Sequence, residues 1–416
     1  MSTVRSFLFL QGGSSPFFRR LGRRLLRDGH DVRRVNFNAG DRAYWHPLPA
    51  TSFDGTLPDL PAFLENRIRA WGISDLALYG DRRPVHVPAL ALARRLGLRA
   101  HVFEEGYFRP FLMTLERGGV NGNSALPRDP DWYRGVGAHL PDYPYGAPFR
   151  TSLVARARHD ITYEIASLAN PLLYPRYRTH VPYSRWIGYG AHALRFAAMP
   201  YRAARDRQLL ERLNREEAGV FLLPLQLESD VQIRYYSPFE RMAELIGHVM
   251  RSFGQHAPGD ARLVIKNHPL DPGFVNYARV TERLAKEAGL NGRVSYVDTG
   301  DARPLTARAR GVVTVNSTVG TSALIAGRPV MALGKAIYNI AGLTFQGPLD
   351  EFWRDPTPPD AELFRRFRNT VIHTTQINGG FYTRESTTLA VENCQRLLLA
   401  ERSPLEELLS GTGNRE

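Results

Sequence analysis

The 416-residue chain holds a single cysteine, Cys394. One thiol closes no internal disulfide and builds no thiolate-rich zinc site, which predicts a reducing compartment. Cys394 lies in the helical pattern "AVENCQRLLLA" and reads as a small buried hydrophobe rather than a nucleophile. No apolar run approaches the roughly 18 residues that span a bilayer. The N-terminal "MSTVRSFLFLQGG" has an apolar core too short for a signal peptide. A cytoplasmic protein is expected, one able to rest on a membrane surface. A complete Walker A pattern is missing, because Gly334-Lys335 is followed by Ala336. Gly188-x-Gly190-x-x-Ala193 follows no apolar strand, so it is discounted as a dinucleotide fingerprint. The nominal D-x-D pair Asp129 and Asp131 encloses Pro130 and follows no strand, and no metal is expected there. No DNA or RNA module is visible, and the arginine excess is spread along the chain, so no nucleic-acid partner is expected.

Positive charge is abundant. Lys plus Arg outnumber Asp plus Glu by 54 to 41, a formal net charge of +13. That balance favours anionic partners: nucleic acid, an anionic membrane surface or phosphorylated substrates. The length favours two domains.

The apolar pattern is α/β. "SFLFLQGG" (6–13) reads as a strand, "SPFFRRLGRRLLRDG" (15–29) as a helix with Ser15 at its N-cap and Pro16 in its first position, and "HDVRRVNFN" (30–38) as a second strand. "SDLALYG" (74–80), a helix at 87–97 and "RAHVFEEG" (99–106) continue the alternation. Residues 107–185 hold few strand signals and read as loops and helices, and a helix and linker follow to 219. The rhythm restarts with strands at 219–227, 261–269, 292–298, 311–317 and 329–334, separated by helices. The tail from about 360 reads as helices. The expected architecture is two Rossmann-like domains facing a central cleft, spanning 1–210 and 211–360, with helices of 361–416 packing back across them.

In such sheets ligands bind beyond the carboxyl ends of the strands. After the first strand, Gln11 and Gly12 open a helix whose amides suit an anion. Asn36, Asn38 and Asp41 follow the second strand, and turn chemistry accounts for them equally well. Glu104 and Glu105 end a strand before Gly106, Tyr107 and Arg109. Adjacent carboxylates on an extended chain point apart, so one can face the cleft as acid or base while the other pairs with a cation; solvated surface charge is the plainer alternative. Gln226, Glu228 and Asp230 follow "VFLLPL", with Asp230 either a helix cap or a catalytic carboxylate. In "KNHPLDPG", Pro269 pushes His268 into an extended conformation, and His268 beside Lys266 suits a phosphate oxygen. Asn316, Ser317 and Thr318 precede a helix and form a phosphate cradle, a plain N-cap, or both. Carboxylates at one half-sheet and anion-binding groups at the other give the layout of a glycosyl transferase with its nucleotide sugar in the C-terminal half. His, Lys and hydroxyls can carry a single-phosphate leaving group such as CMP, so no metal or other cofactor is expected.

Glu104-Glu105-Gly106 and His268-Pro269 resemble the acidic-acidic-Gly and His-Pro motifs of bacterial CMP-sialic acid transferases. The longer strings "RRVNFNAGD", "FEEGYFRPFLMTLERGGVNGNS", "PLQLESDVQI", "KNHPLDPG" and "TVNSTVGTSALIAGRPVMALGKAIYNIAGLTFQGPLDEFW" resemble the KpsS/LipB family of capsular polysaccharide proteins over most of residues 5–355. The resemblance implies a GT-B-like fold and a β-Kdo transferase that moves Kdo from CMP-Kdo to a phosphatidylglycerol-type lipid. It also implies a cytoplasmic protein, peripheral at the inner membrane of a Gram-negative bacterium, with a KpsC-like enzyme extending its product. By the same resemblance His268, Lys266 and Pro269, with Ser317 and Thr318, would hold the CMP phosphate. Gln226 and Asp230 match a Q-x-x-x-D pattern in which Asp is the leading catalytic carboxylate, and Glu105 matches the general base of inverting sialyl transferases. CMP-Kdo is β-linked, so a β product means retention and favours Asp230 as nucleophile, with Glu105 as acid/base or acceptor-orienting group. Inversion would promote Glu105. The arginine- and aromatic-rich stretch 174–190 is a candidate for the membrane interface, an ordinary helical cover being the alternative. A sialic acid transferase and a non-enzymatic capsule assembly or export scaffold are the competing readings.

Overall fold

The structure is a computed structural model that describes residues 4–143, 146–179, 185–215, 219–228 and 230–412. Its strands are β1 (Ser6–Phe9), β2 (Asp31–Asn36), β3 (Thr51–Ser52), β4 (Asp75–Tyr79), β5 (Arg99–Glu105), β6 (Leu112–Arg117), β7 (Val220–Pro224), β8 (Arg262–Lys266), β9 (Val294–Val297), β10 (Gly311–Thr314), β11 (Val330–Ala332) and β12 (Gln376–Asn378). They form two sheets, β12-β6-β5-β4-β1-β2-β3 and β11-β10-β7-β8-β9. Each sheet belongs to one of two compact units. The first unit takes residues 4–126, 139–179 and 368–412, and the second takes 127–138 and 185–367.

In the first unit, β3-β2-β1-β4-β5 are parallel, with β6 and β12 added antiparallel. Parallel strands covered on both faces read as unbroken apolar runs, which is why "FLFL" and "LAL" were legible as strands. Phe17, Phe18, Leu21 and Leu25 of helix Phe17–Arg27 pack on one face with Phe9, Trp45 and Phe103. Leu60, Leu64, Ile68, Ala89 and Leu90 cover the other. Full burial of each such Leu or Phe contributes about 1.5–3 kcal/mol. The first helix begins at Phe17 with Pro16 in the capping position, one residue later than expected. The Ser15 hydroxyl accepts from the Phe17 N–H (3.1 Å) and donates to the Phe381 carbonyl.

Three strands escape the sequence pattern, the two-residue β3 among them. β6 lies in the stretch read as loops and helices, and β12 lies in the tail read as helical. β12 is three residues long and is held by its partner β6, through Gln376–Thr114, Ile377–Met113 and Asn378–Leu112, rather than by periodicity of its own. This pairing carries the tail into the first unit, so the units interleave in sequence where continuous segments were drawn.

In the second unit all four pairings are parallel, and the unit's first strand in chain order, β7, lies at the centre. Its core includes Phe221, Phe253, Phe352 and Trp353, all fully buried. Helix Arg185–Arg215 precedes β7 and contains Pro200. The glycines of the discounted fingerprint, Gly188 and Gly190, lie within it.

Candidate functional site

The strand order of the second unit reverses between β7 and β10. Crossovers leave that point in opposite directions, so the chain opens there beyond the carboxyl ends, where ligands bind in such sheets. Gln226, at the exit of β7, is buried and joins the two strands. Its amide donates to the Asn316 side chain (3.1 Å) and to the Asp230 carboxylate (3.5 Å), and its oxygen accepts from the Asn316 N–H (3.4 Å). Asp230 starts the short helix Val231–Tyr236, where its carbonyl accepts from the Ile233 N–H (3.1 Å). Its backbone caps the helix while its carboxylate turns toward Gln226.

Beside them, Ser317 caps helix Thr318–Ile325 by accepting from the Val319 N–H. Its carbonyl accepts from the Tyr338 hydroxyl (2.7 Å). Gly320 is required for this contact, because a Cβ there would lie 2.2 Å from the Tyr338 oxygen. Thr318 is the first residue of the helix and is half-buried. The helix start carries amide donors and a favourable dipole for a negative group.

His268 follows β8. The Leu270 N–H donates to its Nδ1 (3.1 Å), so the proton of the neutral ring sits on Nε2, which is then a donor. Pro269 is exposed and holds the turn that brings Leu270 back onto the ring. Lys266 departs from expectation. Its side chain is buried, and its ammonium donates to the carbonyls of Asn267 (2.8 Å) and Asp298 (3.4 Å). Burial pushes it down to about 8, against the pull of Asp298 and Asp206. In this structure Lys266 braces the β8 and β9 exits. Around it Arg195 bonds Asp298 (2.8 Å) and Asp271 (3.1 Å), Arg202 bonds Asp298 (2.6 Å), and Asn267 bonds both acids. A cavity of about 370 Å³ is lined by Arg195, Arg202, Asn267, Asp271, Tyr296 and Asp298. Glu228 is structural, accepting from the Tyr277 hydroxyl (2.6 Å) and the Met242 N–H (3.1 Å).

In the first unit Glu104 and Glu105 end β5 and diverge, as an extended chain requires. Glu104 accepts from the Glu105 N–H (2.9 Å) and bonds the Tyr79 hydroxyl. Burial pushes its carboxyl up to about 7; the Glu105 charge adds to this, and the bonds from the Glu105 N–H and Tyr79 oppose it. Glu105 accepts from the Tyr382 hydroxyl (3.3 Å) and lies 3.7 Å from the Arg156 guanidinium. Arg156 also stacks over the Tyr382 ring at 5.1 Å. Glu105 opens on a cavity of about 160 Å³ lined with Leu112, Phe149, Arg150, Arg156 and Tyr382. Gly106 has a steric reason: a Cβ there would lie 2.1 Å from the Leu112 carbonyl oxygen, where the β5–β6 turn closes.

Gln11 and Asn38 meet through Asp41. The Gln11 amide donates to Asp41 (3.2 Å), and the Asn38 oxygen accepts from the Asp41 N–H (2.8 Å) and the Tyr163 hydroxyl (2.9 Å). Arg34 completes this buried cluster, 3.5 Å from Asp41. The Gly12 carbonyl accepts from Arg83 (2.7 Å). Arg109 is exposed beyond β5 and donates to the Gly106 carbonyl of its own turn (3.3 Å). Asp129 caps helix Pro130–Val136, and Asp131 pairs with Arg134 (2.8 Å). Among the described residues no cluster of His, Cys, Asp and Glu has the makings of a metal site.

Residues 74–382 match the family described as capsule polysaccharide biosynthesis protein. The chain is 37% identical over 381 residues to the capsule polysaccharide export protein KpsS of Escherichia coli, covering 91% of this chain and 97% of that one. It is also 37% identical over 390 residues to the capsule polysaccharide modification protein LipB of Neisseria meningitidis serogroup B, covering 92% and 93%. The chain belongs to the capsule polysaccharide biosynthesis family. Among solved structures, a β-Kdo 2,7 transferase, KpsC of Thermosulfurimonas dismutans, aligns over 94% of this chain and 99% of its own at 16% identity, with a TM-score of 0.45.

In this capsule polysaccharide biosynthesis protein the predicted residues fall into three groups. Gln226, Asp230 and Asn316 are joined directly, with Ser317 and Thr318 next in the chain and His268 on the neighbouring strand exit. Glu104 and Glu105 form the second group, and Gln11, Gly12 and Asn38 lie at the β1 and β2 exits. Around these groups the structure adds Tyr382, Arg156, Tyr79 and Arg34, which the sequence pattern does not announce. Tyr382 lies 277 residues from Glu105, and no local pattern announces such a contact. Of the stretch 174–190, residues 180–184 lie outside the described residues. Tyr174 is buried and shares a hydrogen bond with Ser52 (2.8 Å), so it covers the fold and does not face outward.

Proposed function

We propose that this protein is a retaining β-Kdo transferase that moves Kdo from CMP-Kdo to a phosphatidylglycerol-type lipid, initiating the linker of a capsular polysaccharide. The observation that carries the reading is the Gln226–Asp230–Asn316 cluster beside a Ser317-capped helix, at the switch point of a sheet in a capsule biosynthesis protein. An Asp230 oxygen attacks the anomeric carbon, the bond from that carbon to the phosphate oxygen breaks, and CMP leaves. His268 Nε2–H, the amides at the start of helix Thr318–Ile325 and the Ser317 and Thr318 hydroxyls stabilise the departing phosphate. The acceptor hydroxyl then attacks the same carbon, giving its proton to a general base and releasing Asp230. Two inversions make one retention. The scheme uses no metal ion. The protein works as a peripheral protein at the inner membrane, where its acceptor resides, and hands its product to a KpsC-like transferase.

The test is mass spectrometry of fluorescent lysophosphatidylglycerol incubated with freshly made CMP-Kdo and either wild type or Asp230→Ala. One added Kdo with wild type and none with the variant supports the scheme. Equal product from both moves the nucleophile away from Asp230. Product from CMP-sialic acid alone names the other acid sugar, and no product from any donor leaves a binding scaffold.

A further inference from the structure

Helix Leu153–Ser167 has two faces of opposite character. At 3.6 residues per turn, Val154, Arg158, Ile161 and Ile165 share one side and Tyr163 lies opposite. The inner side is polar and engaged. The Tyr163 hydroxyl bonds Asn38 and Asp41, Arg156 reaches Glu105, and His159 bonds the Tyr44 hydroxyl (2.8 Å). The outer side is apolar and uncovered. Val154 is 79% exposed, Ile165 56%, Leu168 60%, and Leu172 in the following turn 88%. Single exposed hydrophobes are ordinary, but a contiguous stripe of them marks a binding surface. Exposed arginines flank the stripe along the chain, with Arg150 before the helix, Arg158 on it, and Arg176 and Arg178 after Leu173.

We propose that this stripe is the surface on which the protein lies on an anionic phospholipid bilayer. Its apolar side chains enter the acyl boundary, and its arginines meet the phosphates. The inference rests on the lipid-acceptor reading and names the surface that serves it. The charge decides the occupant. A second copy related by a two-fold axis would set arginines against arginines, whereas anionic headgroups complement them, as they do the net charge of +13. Among the described residues no helix is long and apolar enough to cross a membrane, so this helix lies in the plane of the surface. Its first turn, with Leu153 and Arg156, lines the Glu105 cavity, so the helix that meets the lipid also borders that carboxylate.

Flotation of the full chain on vesicles of phosphatidylcholine, with and without phosphatidylglycerol, tests this with no sugar donor present, so the result is independent of the transferase reading. Wild type is expected to float with the anionic vesicles, more weakly at high salt. The double variant Ile161→Glu, Ile165→Glu is expected to bind at least about tenfold less at an unchanged melting temperature. In a second readout, Leu172→Trp fluorescence shifts to the blue on the same vesicles. Wild type failing to float, the double variant floating equally, an unshifted tryptophan, or a wild-type dimer that the double variant splits would each overturn the proposal.

Discussion

Glu104 and Glu105 are neighbours in sequence, yet one strand end gives them different work. Glu104 turns inward and has its carboxyl pushed from 4.5 up to about 7, chiefly by burial. The sign follows directly. Below about pH 4.5 both folded and unfolded chains hold this proton. Between about 4.5 and 7 the folded chain keeps it while the unfolded chain releases it, so stability falls as pH rises through that window and stays lowered above it. Glu104→Gln is therefore expected to melt higher than wild type at about pH 8, and the difference should vanish near pH 4, as calorimetry across that range will read. Glu105 instead meets Tyr382, Arg156 and the cavity. If it takes the acceptor proton, Glu105→Gln lowers lipid transfer by about 10²–10⁴-fold while leaving CMP-Kdo affinity intact, a split that steady-state kinetics and donor titration separate. That the pair stood at a strand end was legible from "RAHVFEEG". Their different partners were not, because Tyr79 and Tyr382 arrive from other elements.

At the scale of elements, the strand exits of the second unit are held by ions rather than by turns alone. Arg195 and Asp298 are both buried, and helix Arg185–Arg215 is tied through Arg195 and Arg202 to the loops after β8 and β9. Removing Asp298 leaves the buried Arg195 with Asp271 alone to balance it, and breaking a buried pair costs about 3–5 kcal/mol. Asp298→Ala should lower the unfolding free energy read from chemical denaturation by that amount, and Asp298→Asn, which keeps one acceptor, by less. The sequence pattern located β7, β8 and β10 because each is an apolar run buried on both faces. It missed β12 because a three-residue antiparallel addition at a sheet edge draws its stability from its partner's register, and β6 because it lies in a stretch with few strand signals. It also set Lys266 among the phosphate-binding groups on proximity to His268. Successive strand residues point to opposite faces, and the Lys266 ammonium ends on backbone carbonyls inside the unit.

For the whole molecule, two doubly wound units in one chain were legible from the restart of the α/β rhythm, and membership of the capsule polysaccharide biosynthesis family accords with the motif strings. The interleaving was not legible, because it depends on contacts between residues far apart in the chain, with Phe381, Ala390, Cys394 and Leu398 packed among Phe9, Phe17 and Phe103. β12 pairs with β6, and Gln376 also accepts from the Tyr107 N–H (2.9 Å) and donates to Thr114 (3.0 Å). During synthesis this fixes an order of completion. The second unit can close once residue 367 has left the ribosome, while the first must wait with the edge of β6 bare until the last stretch emerges. A chain stopped after Phe367 should accordingly keep a protease-resistant second unit and aggregate through an open strand edge in the first, which limited proteolysis and light scattering will distinguish. The part of the protein that is translated first is thus the part that finishes last.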